Sequence, residues 1–307
     1  MSRPVIAVDA LEKTYGAVRA VDSISFQVDE GEIFGVVGPN GAGKTTTIEC
    51  LEGLRVPDGG QVRVLGLDPR RDGDALREQI GAQLQDCALP ARLRVGEAMR
   101  LFASFYAHPI APAPVLQSLG LADREKVAFG DLSGGQKQRV SIALALIGDP
   151  RLVFFDELTS GLDPQARHAT WDLVRGIRAG GKTVFLTTHY MEEAERLCDR
   201  VMIIDTGRIV ALDTPAALVR TLGAEQRIDF RADGLGEDVI GAIRSIPGVG
   251  RVERSADHVV AYGPSDRILP PILAALQAAR LTFRDLQTGQ PDLEDVFLAL
   301  TGREMRD

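Results

Sequence analysis

Apolar and polar positions alternate through the first thirty residues, where Ile24, Phe26 and Val28 are separated by Ser25 and Gln27. A period of two predicts half-buried antiparallel strands. The pattern then changes: Ile33 to Val37 is a continuous apolar run, the mark of a strand buried on both faces, and a helix begins near Gly43. Leu152-Val153-Phe154-Phe155 and Thr183-Val184-Phe185-Leu186-Thr187-Thr188 repeat the buried-strand pattern. Gln61 to Val64, and the stretch from Val201 to Val210 turned by Asp205-Thr206-Gly207, are expected to extend the antiparallel layer. Between Gln85 and Leu132 the period becomes helical, with Met99, Phe102, Phe105 and Tyr106 at helix spacing before a proline-rich turn around Pro109 to Pro114. Such an aromatic stripe is core by default.

A short helix with Thr214 as cap and Pro215 in its first position ends before Gly223 and reads as a linker. Beyond it the chain changes character. Arg227 to Phe230 alternates like a strand, Val239 to Ile246 is helical, Val249 to Val252 and Val259 to Tyr262 suggest a hairpin, Ile272 to Leu281 is helical, and Thr282 to Leu286 fits a strand. The order βαββαβ predicts a small α+β sandwich of ferredoxin-like type. Leu293, Val296, Phe297 and Leu300 then fall at i, i+3, i+4 and i+7 after Pro291, an amphipathic helix that Gly302 closes. The expected division is a first domain over residues 1–222, with a helical insert at about 86–140, and a second over 223–307.

The candidate chemistry lies at two helix starts and one strand end. Gly38-Pro39-Asn40-Gly41-Ala42-Gly43-Lys44-Thr45, followed by Thr46, matches G-x-x-x-x-G-K-[ST] without mismatch, between the apolar strand and the helix. Its glycines let backbone N–H groups form a nest, the helix N-terminus adds a positive dipole end, and Lys44 and Thr45 supply a cation and a hydroxyl able to ligate Mg²⁺. That is a cradle for a nucleoside triphosphate. Leu132-Ser133-Gly134-Gly135-Gln136 precedes a helical run, Lys137 to Ile147, whose Val140, Ile142, Ala143, Leu144 and Leu146 pack while Lys137 and Arg139 face outward. A second helix start therefore offers amides to an anion. The strand Leu152 to Phe155 ends in Asp156-Glu157, two carboxylates at the end where open α/β sheets bind ligands. Successive strand side chains point to opposite faces, so the two acids can take separate tasks.

Two phosphate-binding helix starts and a strand ending in Asp-Glu resemble the ABC-type ATPases. The resemblance implies an α/β fold: a P-loop NTPase core with an antiparallel β subdomain and a helical subdomain, which binds ATP and Mg²⁺ between two protomers. It implies that Ser133, Gly134, Gly135 and Gln136 of one protomer cover the γ-phosphate held by the other. By the same resemblance Asp156 coordinates Mg²⁺ through water, Glu157 polarises the attacking water as general base, and His189 contacts the γ-phosphate. Gln85 fits the glutamine that senses Mg²⁺ and water, although Gln83 lies close enough to compete for that role. Ser160-Gly161-Leu162-Asp163 fits the loop that crosses the dimer interface, and Tyr15 in Lys13-Thr14-Tyr15-Gly16 fits the aromatic that stacks on adenine. Leu158 departs from the pattern, standing where many relatives have proline and so lacking a fixed φ. Every chemical group is nevertheless present.

The tail Pro291-Asp292-Leu293-Glu294-Asp295-Val296-Phe297-Leu298 resembles that of exporter ATPases of the daunorubicin/doxorubicin-resistance type. Its amphipathic helix fits packing, clasping of a neighbouring subunit, or a ligand-regulatory role. The resemblance implies an ATP-hydrolysing subunit that drives a separate transmembrane permease, exporting a drug, lipid or other amphipathic compound, and that pairs with a second ATPase protomer, expected to be another copy of this chain. Two alternatives stand beside it: a soluble ABC ATPase acting on DNA or ribosomes, and an importer subunit whose C-terminal domain senses substrate. The former commonly carries two ATPase units per chain or a long coiled-coil insertion, and neither is visible here.

Composition narrows the setting. A chain of 307 residues, 45% hydrophobic, can bury one large domain and one small one. A net charge of −8 disfavours a nucleic-acid partner, whose phosphates call for a basic face. Cys50, Cys87 and Cys198 lack metal-site spacing and read as reduced thiols. The first residues, Met1-Ser2-Arg3-Pro4, lack the apolar region of a signal peptide, and no run approaches the roughly 18 apolar residues that span a bilayer. The expected location is cytoplasmic, at the inner face of the membrane through the permease.

Overall fold

The computed structural model describes residues 4–83, 89–222 and 226–302. The chain divides into two compact units, residues 1–212 and 213–307.

The first unit opens with β1 (Pro4–Tyr15), β2 (Val18–Asp29), β3 (Ile33–Val37) and β4 (Gly59–Val64). β1 pairs antiparallel with β2 on one side and β4 on the other, giving the order β2-β1-β4. The alternation works as expected: Ile24, Phe26 and Val28 are buried while Ser25 and Gln27 are exposed. Strand β3 instead enters a six-stranded sheet with β5 (Ile80–Gln83), β6 (Leu152–Asp156), β7 (Thr183–Thr188), β8 (Arg200–Asp205) and β9 (Arg208–Asp213). Its order is β5-β6-β7-β3-β8-β9, with the pairings from β5 through β8 parallel. Every residue of β3, β6 and β7 is buried, as central parallel strands require.

One expectation is corrected here. The segment from Val201 to Val210 joins this parallel sheet, not the antiparallel layer, because Val201 to Ile204 is itself a fully buried apolar run beside β3. The turn at Asp205-Thr206-Gly207 fixes the hairpin but not the sheet that receives it.

Helices α1 (Lys44–Glu52), α2 (Gly73–Arg77), α3 (Val95–Ala103), α4 (Pro112–Ser118), α5 (Gly134–Leu146), α6 (Pro164–Ala179) and α7 (Met191–Leu197) complete the unit. The aromatic stripe is only partly core. Met99 is fully buried, but Phe105 is 64% exposed and stands with Phe102 and Tyr106 on a groove of about 610 Å³. α3 ends at Ala103, so the helical spacing that would turn Phe105 inward has already stopped.

The second unit contains α8 (Pro215–Arg220), β10 (Arg227–Ala232), α9 (Glu237–Arg244), β11 (Arg251–Ser255), β12 (His258–Tyr262), α10 (Ser265–Ala278), β13 (Phe283–Gly289) and α11 (Leu293–Thr301). The sheet is antiparallel with order β11-β12-β10-β13. Ile228, Phe230, Val259 and Ala261 pack with Ile240, Ile243, Ile268, Ile272 and Leu276. On the other strand face Arg227 bridges Asp292 and Asp295 at 3.1 and 2.9 Å, and Tyr262 Oη donates to Asp295 Oδ1 at 3.0 Å. α10 starts at Ser265, earlier than the pattern implied, because Pro270 and Pro271 inside it disguise the helix. In α11, Leu293, Val296 and Phe297 are buried to 1% exposure or less, while Leu300 is 50% exposed and Leu298 packs with Val260 and Tyr262 instead. Three of the four stripe positions are thus buried within the protomer, so α11 packs into it, and Leu300 stays outside.

Candidate nucleotide site

Register brings the glycine-rich loop and the Asp156-Glu157 strand end together with the strand that delivers His189. Val37 at the end of β3 lies opposite Thr188 of β7, and Asp156 at the end of β6 lies opposite Thr187. The loops that leave these ends are the glycine-rich loop, the segment beginning at Glu157, and the segment beginning at His189. They meet at the carboxyl edge of the sheet, where α/β folds bind ligands.

The glycine-rich loop owes its shape to two left-handed residues. Gly41 has φ 79° and Gly43 φ 106°, and a Cβ on Gly43 would sit 2.3 Å from the Ala20 carbonyl oxygen. Only glycine fits both the dihedral and the space. Gly43 caps α1 without a side chain, and no acid of the helix's own first turn meets its N-terminal amides. Lys44 Nζ is buried and donates to the Gly38 and Pro39 carbonyls at 2.8 and 3.2 Å. Burial pulls its pKa down, against the opposing pull of Glu157.

Thr45 Oγ1 donates to Asp156 Oδ2 at 3.2 Å, and Thr187 Oγ1 donates to Asp156 Oδ1. Burial pushes the Asp156 pKa up and these two hydroxyls oppose the push. Glu157 Oε1 stands 3.5 Å from Lys44 Nζ, and Oε2 stands 3.3 Å from His189 Nδ1 and accepts from Ser160 Oγ at 3.1 Å. The His189 approach is not aligned as a hydrogen bond. Glu157 itself takes φ 50°, uncommon outside glycine, and its amide is held by the Thr187 carbonyl at 3.1 Å. Such a backbone persists where its surroundings over-determine it. Leu158, in the departure from the proline pattern, is 2% exposed, so burial anchors a slot that a fixed φ does not.

Lys44, Thr45, Asp156, Glu157 and His189 thus form one cluster, and the loop from Gly38 through Thr46 borders it. Other candidates stand in different settings. Ser133 Oγ accepts from Gln136 N at 3.3 Å while Gln136 Oε1 accepts from Ser133 N at 3.0 Å, a reciprocal cap on α5 that also contains Gly134 and Gly135. Asp163 caps α6 through Ala166 N at 2.9 Å. Tyr15 is 42% exposed at the end of β1, with Lys13 and Arg55 at 5.5 and 6.0 Å from its ring centre. Gln85 and Cys87 lie outside the described residues; Cys50 and Cys198 are buried free thiols.

Sequence reasoning missed Thr187, whose hydroxyl holds Asp156, because a threonine inside a buried strand reads as filler. It also missed Glu193, a buried acid on α7, and Glu52, a buried acid ending α1.

A phosphate nest at a helix start, a hydroxyl beside a strand-end aspartate, and a following glutamate near a histidine define a P-loop nucleoside triphosphatase. The profile described as "ABC transporter" matches residues 21–160. The chain is 38% identical to the Nod factor export ATP-binding protein I of Ralstonia nicotianae, across 100% of this chain and 96% of that one. It is 36% identical to the linearmycin resistance ATP-binding protein LnrL of Bacillus subtilis (99% and 100% covered) and 36% to the daunorubicin resistance ATP-binding protein DrrA3 of Streptomyces coeruleorubidus (100% and 98%). Among solved structures, an ATP-binding subunit of an ABC transporter superposes with TM-score 0.64 at 32% identity, covering 71% of this chain and 93% of that one. The chain belongs to the ATP-binding proteins of ABC transporters, and it is an ATPase with their P-loop fold.

Proposed function

We propose that this ATPase works as a pair of protomers, binds ATP with Mg²⁺ between them, and energises export through a separate membrane subunit. The observation that carries the hydrolytic part is Glu157, held by its neighbours at the cluster edge within 3.5 Å of both Lys44 and His189. The export part is supported by full-length similarity to ATP-binding proteins named for Nod factor export and for drug resistance. Dimerisation is supported by likeness to a dimeric bacterial ABC transporter cassette (TM-score 0.60, 26% identity, 68% of this chain and 98% of that one covered). Among the described residues no helix is long and apolar enough to cross a membrane, which fits a permease on another chain.

The cradle suits its ligand. Lys44 exchanges the Gly38 and Pro39 carbonyls for phosphate oxygens, and the amides of α1 face the same charge. Thr45 and Asp156 together offer the oxygen donors a hard cation takes, and no set of three His, Cys, Asp or Glu among the described residues competes to hold a metal. Mg²⁺ there would neutralise charge on the phosphate oxygens. Glu157 accepts the proton of the attacking water, His189 faces the γ-phosphate, and Gln85 and Tyr15 contact the Mg²⁺ shell and adenine. Ser133, Gly134, Gly135, Gln136 and Asp163 act across the interface.

Residues 1–222 form the nucleotide-binding domain in this reading, and 223–307 an accessory domain of ferredoxin-like type, supported by its βαββαβ order and antiparallel sheet. α8, which groups with the second unit, is the linker.

Glu157→Gln keeps the shape of the base and removes its basicity, so MgATP still binds and turnover falls by about 10²-fold or more. On that background light scattering shows an ATP-induced dimer, and adding Ser133→Arg abolishes the dimer while each protomer retains ATP. Near-normal turnover in Glu157→Gln removes the base; ATP-dependent dimers of the Ser133→Arg protein refute the composite site.

A further inference from the structure

Glu193 is 2% exposed in α7, four residues beyond His189, and the steps above make no use of it. Its Oε1 accepts from Thr159 Oγ1 at 2.9 Å and from Trp171 Nε1 at 2.8 Å. The Thr188 hydroxyl stands against the same carboxyl. These two donors and the neighbouring hydroxyl come from three different places. Thr159 lies two residues past Glu157, Thr188 lies immediately before His189, and Trp171 belongs to α6, the helix that Asp163 caps. A single carboxyl therefore fastens together the segment after the base, the strand end that delivers the histidine, and the helix beside both.

Arg167, one turn before Trp171 on α6, extends the brace. Its guanidinium lies 4.1 Å from the centre of the Tyr190 ring, which lies 4.0 Å from the centre of the His189 ring. Burial works against an ionised Glu193, and the surrounding donors and Arg167 work for it. A residue needed only to fill space would be cheaper as an apolar side chain; a buried acceptor holding two donors from separate segments specifies one arrangement of them. Glu157 needs such specification, because its left-handed backbone holds only where neighbours enforce it.

We propose that Glu193 is a positioning residue for ATP hydrolysis, which holds the Glu157 and His189 segments in their working arrangement through Thr159, Thr188 and Trp171. The proposal rests on the roles given above to Glu157 and His189. It predicts an effect on turnover without one on nucleotide binding, because neither Glu193 nor its partners belong to the phosphate cradle.

The test uses the full chain. Trp171 is the only tryptophan, so its emission reads the network directly. Glu193→Ala leaves buried donors unpaired and is expected to lower kcat about tenfold or more, with KM and MgATP affinity within about twofold of wild type. Glu193→Gln keeps the Oε1 acceptor and should restore kcat to within about threefold, with Trp171 emission shifted in the alanine variant only. Thr159→Val, which removes one donor hydroxyl, should lower kcat in the same binding-neutral way. Wild-type kcat in a folded Glu193→Ala protein overturns the proposal, and so does a loss that glutamine fails to relieve and that raises KM equally. If Glu193→Ala does not fold, Thr159→Val decides, and unchanged kcat there overturns it. Glu157→Gln assayed alongside separates the two ideas: turnover surviving in that variant removes the base, whatever the Glu193 series shows.

Discussion

Glu52 ends α1 with its side chain 3% exposed and, among the described residues, with no hydrogen-bond partner for either carboxyl oxygen. An acid at a helix C-terminus also faces the negative end of the dipole. Burial, with smaller contributions from Asp156 and Glu49, pushes its pKa from 4.5 to about 8. The folded state thus favours the neutral acid. Below pH 4.5 the group is protonated in both states and costs nothing; as pH rises through the window from 4.5 to about 8, the unfolded chain ionises and the folded chain does not. Stability falls across that window and levels off above it. At about 1.4 kcal/mol per pKa unit, the loss is roughly 3 kcal/mol by pH 7 and 4–5 kcal/mol above pH 8. Glu52→Gln mimics the neutral acid at every pH, so the variant should gain on wild type by about 3 kcal/mol between pH 5 and pH 8. Urea denaturation followed by Trp171 emission, on nucleotide-free protein in a chelator, measures this at each pH. Taking the difference between the two proteins cancels every other titrating group. A difference that stays flat to within about 0.5 kcal/mol from pH 5 to pH 8 would refute the reasoning, and would mean that Glu52 is ionised in the folded protein.

Lys44→Ala should weaken MgATP binding itself, seen by equilibrium titration, because it removes the cation facing the phosphates; unchanged affinity would detach Lys44 from the cradle. Phe297→Asp places a charge where the side chain is 1% exposed, a loss of several kcal/mol of burial and desolvation, so the second unit should lose its cooperative thermal transition while ATP binding by the first persists. An unchanged calorimetric profile would show that this position tolerates water.

Features set by short-range backbone demands were legible in the sequence. The phosphate loop needs left-handed glycines at 41 and 43 within a few residues of Lys44, and a strand ending in Asp156-Glu157 announces itself by its apolar run. Partners set by distant register were not. Thr187 reaches Asp156 from the neighbouring strand, and Glu193 collects donors from 22 and 34 residues away. Neither bond leaves a trace in local pattern. β8 and β9 went to a different sheet than expected, because alternation and turn chemistry describe a hairpin without saying which edge accepts it. Glu52 was invisible for the opposite reason: charged residues at helix ends are ordinarily solvated, and only the packing around α1 makes this one an exception.

The helix start at Ser133 illustrates how one residue set can satisfy two readings. Within the protomer, Ser133 and Gln136 cap each other, which by itself is a sufficient structural reason for both. The cap accounts for Gln136 N but leaves the amides of Gly134 and Gly135 without intrahelical acceptors, as at any helix start. A Cβ on Gly134 would meet nothing within 4 Å, and one on Gly135 would meet only the Ala166 methyl at an ordinary 3.5 Å. Neither has a positive φ. The protomer's own packing therefore gives no reason for two consecutive glycines at a place where they weaken the helix. The composite site proposed above would supply one, since a Cβ there would stand between the amides and an incoming anion. Because Ser133 Oγ accepts from Gln136 N, its hydroxyl proton stays available to donate. The capping box is thus compatible with the proposed composite site.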